Sequence, residues 1–166
     1  MATALTDGKG DSTEPGIAIE VGPVTSPGYL DRPQIVTRKG RDEIELAEFD
    51  LWSEPLKNSV SRTLGENLAT LLRTDRVAIF PSRGSRVVQY QVVIDVARCE
   101  GSIGGDLVLD ARWRIQEGNG KELVMGRSTL NEATGAPGYV ALVAAMSRAL
   151  GRLSLDVATA LRERLR

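Results

Sequence analysis

The chain has 166 residues, of which 42% are hydrophobic and 26% charged, and these shares are ordinary for a soluble globular protein. Its net charge of −1 argues against nucleic acid as a partner, because binding phosphates requires a marked excess or stripe of Lys and Arg. The sequence contains no histidine, which excludes Ser-His and Cys-His catalytic pairs and His-based metal sites. A single cysteine, Cys99, can form neither an internal disulfide nor a Cys-rich zinc site. We therefore expect no metal ion and no cofactor.

The first 16 residues, "MATALTDGKGDSTEPG", are small, polar and rich in glycine. They predict a flexible N-terminal tail, at residues 1–16, followed by a single domain at 17–166. No signal peptide is visible, and the longest apolar stretches fall far below the ~18 residues of a membrane-spanning helix.

Three short segments with alternating apolar residues predict strands in the first third of the chain. They are "IAIEVG" at 17–22, "QIVTR" at 34–38 and "DEIELAEF" at 42–49. The last two would form a hairpin across the turn at 39–41.

The pattern then changes to helical spacing in "SEPLKNSVSRTLGENLATLLR", at 53–73. Apolar residues recur there every three or four positions, which predicts an amphipathic helix. Ser53 is a suitable N-cap and Pro55 fits the first helical turn.

Four more strands are predicted after this helix, at "RVAIF", at 88–96, at 107–116 and at "ELVMGRSTLNE". We expect them to form an antiparallel group with one packed face. Arg112 and Arg114 fall on the other face and flank Trp113, which belongs to the core. The two arginines are either ordinary outward charges, the interpretation that we prefer, or a basic strip that meets an acidic partner.

From Pro137 to the end of the chain the spacing is helical again. Gly151 lies in the middle of this helix and suggests a kink or a close contact with the sheet. Two helices with one apolar stripe each and strands with one apolar face predict an α+β fold. We expect a two-layer sandwich in which two long helices pack on one face of a largely antiparallel sheet.

The acidic residues Asp42, Glu43, Glu45, Glu48 and Asp50 are clustered, but they alternate with apolar residues on a strand. A paired-carboxylate site needs groups that converge in a cleft, so a solvated surface is the better interpretation. The glycines of "EGSIGGD" lack the lysine and the following helix of a phosphate loop. No catalytic residue is identified, and we expect the protein not to be an enzyme.

A loop with the sequence "SPGYLDRPQ", at 26–34, is too rich in proline to form a helix. In one interpretation Tyr29 and Leu30 fold back on the core, while Asp31 caps a turn or pairs with Arg32 or Arg38. In the other, the loop presents Tyr29 and Leu30 as anchors to a neighbouring protein. The residue types favour neither of these two interpretations over the other. The candidate partner-binding residues are Tyr29, Leu30, Asp31, Arg32, Pro33 and Gln34.

The same loop resembles a known family, the paraquat-inducible protein C family, also called ABC-type transport auxiliary lipoproteins. The resemblance lies in the Val-Gly-Pro-Val strand end at 21–24, the Tyr-Leu-Asp-Arg-Pro loop at 29–33 and the Trp-x-Glu-Pro-Leu helix start at 52–56. The segment "ALVAAMSRALGRLSLDVATAL", at 141–161, is similar to the family's final helix. A "TSPG" segment follows Val24, where the family more often has a Leu-Pro pair.

The resemblance implies a non-enzymatic accessory component of a bacterial lipid transport system built on MCE-domain proteins. Such a component is a periplasmic interaction domain, usually anchored at the outer membrane, that binds an MCE-domain protein and possibly copies of itself. No cysteine precedes Cys99, so we expect either that the chain lacks its lipid anchor or that this member is not lipidated. The alternative function is a periplasmic carrier that holds a lipid or another hydrophobic ligand between helices and sheet.

Overall fold

The structure of the protein is a computed structural model that describes residues 16–38, 43–52, 54–83, 87–102 and 105–165, without the side chains of residues 48–50. Ser53, the predicted N-cap, and the predicted turn at 39–41 therefore lie outside the described residues. The elements in chain order are β1 (Ile19–Thr25), a 3-10 turn (Gly28–Leu30), β2 (Gln34–Arg38), β3 (Ile44–Leu51), α1 (Leu56–Leu71), β4 (Val77–Ile79), β5 (Tyr90–Gly101), β6 (Asp106–Glu117), β7 (Glu122–Ala133) and α2 (Tyr139–Leu165).

The described strands form one mixed sheet that the two helices cover on one face, so the predicted α+β class is confirmed. The long ladders, β5 with β6 and β6 with β7, are antiparallel, as is the shorter pairing of β2 with β3. Three pairings are parallel: β1 with β4, β1 with β5, and β2 with β5. The prediction that β4 belongs to an antiparallel group is therefore wrong. Alternation identifies the buried face of a strand but not its neighbour, and a parallel neighbour is reached only through a long crossover.

Strand β5 organises the sheet because it has β6 along one edge and both β1 and β2 along the other. The beginning of β5 pairs with β1, up to Thr25 beside Asp95, and its last residue, Gly101, pairs with Thr37 of β2. Strands β1 and β2 thus lie one after the other along the same side of β5. The proline-rich loop is the segment that leaves the sheet between them.

Both helices bury one apolar stripe, as the helical spacing predicts. In α1 the stripe consists of Leu56, Val60, Leu64 and Leu68, and α2 buries residues at the same spacing from Leu142 to Leu161. Helix α2 continues through Gly151, where an added Cβ would meet no atom within 4 Å, so the predicted close contact with the sheet is wrong. No helix among the described residues has the length and apolarity needed to cross a bilayer.

Side chains from both helices and the sheet form one apolar core. The inward residues of β6, from Leu107 to Ile115, are buried, and Trp113 belongs to this set, as predicted. Cys99 is also buried on β5, and burial raises the pKa of its thiol to about 12. This thiol therefore stays protonated at neutral pH.

Candidate functional site

The proline-rich loop and the start of α1 line a single cleft of about 310 Å³. We call it the motif cleft. It is lined by Asp31, Arg32, Pro33, Trp52, Glu54, Pro55 and Leu56. Two prolines, an indole and a leucine form an apolar lining, and charged side chains surround it. The Tyr-Leu-Asp-Arg-Pro motif and the Trp-x-Glu-Pro-Leu motif, with 18 residues between them in the sequence, therefore meet at one place on the surface.

A backbone hydrogen bond joins the two sides of the motif cleft. The N–H of Trp52 donates to the carbonyl oxygen of Pro33 over 2.8 Å, and the Trp52 side chain packs against the core. Gln34 pairs with Leu51 at the end of the β2–β3 ladder, immediately behind this bond. Through this bond, Trp52 attaches the segment that begins α1 to the proline-rich loop.

The candidate partner-binding residues divide into buried and exposed groups. Leu30 is 3% exposed and Tyr29 is half-buried, so these two side chains fold back on the core rather than project as anchors. Asp31, Arg32 and Pro33 are exposed, and Gln34 is half-buried. The candidates that a partner could contact with most of their side chain are thus the three exposed residues.

Charges in the motif cleft are largely neutralised from within. Asp31 forms an ion pair with Lys57 of α1, with 3.5 Å between Oδ2 and Nζ, and not with Arg32 or Arg38 as expected. Glu54 accepts hydrogen bonds from Ser59 and from Arg62, the latter at 2.6 Å. Arg32 has no hydrogen bond or ion pair to any residue that the structure describes. The uncompensated charge at this cleft is therefore positive.

A buried carboxylate, that of Glu100, attaches the proline-rich loop to the sheet. Glu100 of β5 has a side chain only 1% exposed, and it accepts hydrogen bonds from the Tyr29 hydroxyl at 2.8 Å and from Arg38 Nη2 at 2.8 Å. Arg98 Nε and the Cys99 backbone N–H also donate to it, each at 3.1 Å. We call Tyr29, Arg38, Arg98 and Glu100 the Glu100 cluster. It connects the loop to β2 and β5, at the place beside β5 where β1 has ended and β2 begins.

The protonation of the Glu100 cluster follows from burial and hydrogen bonding. Burial raises the pKa of the Glu100 carboxyl, but hydrogen bonds from Tyr29, Arg38 and Arg98 together hold that pKa below its ordinary value. Burial, followed by the hydrogen bond to Glu100, raises the pKa of Tyr29 to about 12. The cluster is therefore an ionised carboxylate with a protonated phenol and two guanidinium groups at neutral pH.

Sequence reasoning did not identify Glu100 as a contact of this loop. A register shift between Val96 and Arg98 interrupts the alternation of β5 just before it, so the pattern gives no indication that Glu100 is buried. The acidic residues from Asp42 to Asp50 were predicted to form a solvated surface. Of these, Glu43 and Glu45 have described side chains, and both are exposed. In the part of the chain that is described, no three His, Cys, Asp or Glu side chains gather closely enough to hold a metal ion.

A family model described as "ABC-type transport auxiliary lipoprotein component" matches residues 3–158. No curated protein matches the chain.

Several solved structures have a similar fold. One is an uncharacterised protein with a TM-score of 0.77 and 19% identity, and the match covers 87% of this chain and 92% of that one. A second is protein XCC0632 from Xanthomonas campestris, with a TM-score of 0.71, 14% identity and coverage of 95% and 89%. A third, a PelC dodecamer from Paraburkholderia phytofirmans, has a TM-score of 0.51, 14% identity and coverage of 87% and 91%.

Proposed function

This chain belongs to the family of ABC-type transport auxiliary lipoprotein components, and from that premise we propose that it is a non-enzymatic docking component of a transport system in the bacterial envelope. It binds a transport protein through the motif cleft, with Arg32 and Pro33 at the contact and Asp31 and Gln34 beside them. Tyr29 and Leu30 serve this contact indirectly, by holding the loop in place.

The observation that carries the proposal is the convergence of two separate motifs on one cleft. In the Tyr-Leu-Asp-Arg-Pro loop, Tyr29 and Leu30 pack on the core, whereas Arg32 and Pro33 are exposed and line the cleft together with Trp52. A rigid apolar lining with one uncompensated arginine matches the usual composition of an interface centre. Asp31 also pairs with Lys57 across the space between the loop and the helix.

The proposed partner is an MCE-domain protein of a lipid transport system, and the proposed location is the periplasm, with a lipid anchor at the outer membrane. Family membership supports a transporter as partner and a place in the envelope. Copies of the chain also associate with one another in this proposal. The similar fold of PelC, which is a dodecamer, supports such an assembly.

The alternative function, a carrier for a hydrophobic ligand between helices and sheet, finds less support. Described side chains of α1, α2 and the sheet fill that layer as one core, with Leu64, Leu153 and Ile115 at 0% exposure. The motif cleft lies outside the layer, and its volume is at the low end for a site that encloses a small molecule.

The proposal is tested by measuring the affinity of the purified protein for the MCE-domain protein of the same bacterium, using titration calorimetry. Arg32→Glu should weaken binding by about tenfold, because it reverses the uncompensated charge at the contact. Arg73→Glu is the matched control, since Arg73 is also exposed and lies beyond the end of α1. It should bind like the wild type.

Thermal unfolding of both variants shows whether the fold is intact, and we expect Tm values close to that of the wild type, because neither arginine is buried. An unchanged affinity in Arg32→Glu, or an equal loss in both variants, would overturn the role of the motif cleft. If the wild type itself fails to bind the MCE-domain protein, the proposed partner is wrong.

A further inference from the structure

Strand β7 lies at an edge of the sheet, because it pairs with β6 along one side only. Just beyond the strand, the N–H of Thr134 donates to the carbonyl oxygen of Gly105, over 3.1 Å. Backbone groups in an antiparallel ladder point alternately toward the neighbouring strand and away from it. Counted back from Thr134, the odd-numbered residues of β7 therefore direct their N–H and C=O groups away from β6.

Helix α2 covers the carboxyl end of this edge. Arg148 Nη2 donates to the outward carbonyl oxygen of Ala133 over 2.8 Å, and Arg152 Nη1 donates to that of Asn131 over 3.2 Å. Both arginines also pair with Glu132, which holds them beside the strand. Covering an edge in this way prevents other strands from pairing with it.

The middle of the β7 edge is open. At the amino end, Val124 and Glu122 pair with consecutive residues of β6, so Leu123 is an extra residue that interrupts the ladder. Between Leu123 and the covered carbonyls, the outward N–H and C=O groups of Met125, Arg127 and Thr129 have no partner among the residues that the structure describes. We call Met125 to Thr129 the open segment.

Exposed apolar side chains lie on both sides of the open segment. Met125 is 65% exposed, on the sheet face opposite the helices. Leu155 of α2 is 49% exposed, and with Arg148 and Arg152 it follows the spacing i, i+4, i+7 of one helix stripe. Since both arginines reach the β7 edge, this stripe faces it. A strand added at the open segment would therefore cover apolar surface in both layers.

We propose that the open segment pairs in antiparallel orientation with the open segment of a second copy of this chain; this inference rests on the self-association proposed above. Unpaired N–H and C=O groups at a spacing of two residues match another extended strand. Around a two-fold axis each copy offers the other the same groups, so the edge is complementary to itself. Arg127 donates to both carboxylate oxygens of Asp110, at 2.9 and 2.6 Å, which limits repulsion between the two copies.

The other described edge strands suit such pairing less well. Strand β4 has only three residues, and β3 has a register shift against β2 between Gln34 and Val36. Very short or irregular edges offer few consecutive backbone groups. Because the open segment is itself limited at both ends, the shared ladder is short. We therefore expect a dimer that dissociates on dilution.

Sedimentation velocity at a series of protein concentrations measures the dissociation constant of the dimer. Met125→Pro removes an outward N–H and keeps the bonds to β6, so it should raise this constant by about tenfold or more. Ile79→Pro is the matched control. Ile79 is also exposed, and its N–H points away from β1, because that of the next residue, Phe80, donates to Val21. The control should dimerise like the wild type, and circular dichroism shows whether both variants are folded.

A second variant acts in the opposite direction and needs no proline. Arg148→Ala/Arg152→Ala uncovers the carbonyl groups of Asn131 and Ala133, which lengthens the edge available for pairing. We expect its dissociation constant to fall by about tenfold. Arg73→Ala/Arg164→Ala, with the same change in net charge at exposed positions near the helix ends, should leave the constant unchanged.

An oligomer whose dissociation constant is the same in Met125→Pro and the wild type would overturn the β7 interface but leave self-association in place. Equal losses in Met125→Pro and Ile79→Pro would indicate head-to-tail pairing of β7 with β4 and would also overturn it. A monomer at every concentration would overturn both the interface and self-association. Binding of the MCE-domain protein at the motif cleft does not involve β7, so its failure would leave the dimer measurements unchanged.

Discussion

A single buried carboxylate determines how the proline-rich loop is held. Glu100 accepts hydrogen bonds from three side chains, Tyr29, Arg38 and Arg98, that belong to the loop, to β2 and to β5. Sequence separations of about 62 and 71 residues to Arg38 and Tyr29 show that these bonds connect distant parts of the chain. The loop keeps its position because of this residue as much as because of its prolines.

We expect Glu100→Gln to lower the free energy of unfolding by about 1–3 kcal/mol, because it removes the charged acceptor of several buried or half-buried donors. Urea unfolding followed by circular dichroism gives this value. The matched control is Glu132→Gln, since Glu132 also pairs with two arginines, Arg148 and Arg152, but at the surface. Surface ion pairs contribute little, so the control should lose less than about 1 kcal/mol. Equal losses in the two variants would contradict the special position of Glu100.

Acid should weaken the protein through the same carboxylate. Because the folded state holds the pKa of Glu100 below its ordinary value, the carboxylate contributes stability above the unfolded pKa, about 4.3. That contribution is lost as the pH falls through the lower, folded pKa. Asp110 behaves in the same direction, because its hydrogen bonds from Arg127 lower its pKa. The urea midpoint should thus drop between pH 5 and pH 3.

Glu100→Gln should show a shallower decline of the urea midpoint over this range than the wild type, because one carboxylate whose pKa is lowered by folding is gone. An identical decline in both proteins would show that Glu100 does not contribute to the acid sensitivity.

At the scale of elements, the two helices differ in what their glycines contact. Gly151 of α2 has no atom within 4 Å of an added Cβ, whereas an added Cβ at Gly65 of α1 would lie 2.8 Å from Ile79 Cδ1 of β4. Helix α1 therefore approaches β4 closely, and Gly65 permits that approach. In α2 the glycine has no such contact.

The corresponding pair of alanine variants should differ in stability. Gly151→Ala should raise the free energy of unfolding by about 1 kcal/mol, because alanine has the higher helix propensity and meets no obstacle. Gly65→Ala gains the same propensity but pushes against Ile79, so it should be less stable than Gly151→Ala. Thermal unfolding of both variants measures the difference. A stabilised Gly65→Ala would show that Ile79 moves aside at no cost.

A similar close approach occurs within the sheet. An added Cβ at Gly126 of β7 would lie 2.3 Å from Trp113 Cζ2, so the indole lies across the strand at this glycine. The indole N–H donates to the Ser128 hydroxyl, and that hydroxyl donates to Asp156 of α2. Trp113 thereby connects the sheet to the second helix.

At the scale of the whole molecule, the first and second halves of the chain are interwoven. Strand β1 pairs with β5, and α1 is hydrogen-bonded to α2 through Asn67 and Ser154. All the main buried side chains belong to one cluster. These connections support the proposal that residues 17–166 form a single domain.

A single domain should unfold in one cooperative transition. Trp52 beside the motif cleft and Trp113 in the sheet report on two separate regions. In the variants Trp52→Phe and Trp113→Phe, the fluorescence of the remaining tryptophan should have the same urea midpoint as the far-ultraviolet circular dichroism of that variant. Midpoints that differ between the two signals would indicate two independent folding units.

The sequence by itself determined the helices, the described strands and the buried face of each regular helix and strand. Leucine spacing from Leu56 to Leu68 and alternation from Leu107 to Ile115 are local patterns, and each is the direct consequence of one buried face. The burial of Trp113 and the exposure of Arg112 follow from the same alternation.

Only the tertiary structure decided which strands are neighbours and what the loop contacts. The parallel position of β4 beside β1 depends on a crossover through α1, and the burial of Glu100 depends on donors more than 60 residues away as well as on its neighbour Arg98. Leu30 was an open choice between core and surface, and packing placed it in the core. Periodicity records whether a residue is buried along one element, whereas pairing, register shifts and long-range hydrogen bonds depend on segments brought together only by folding.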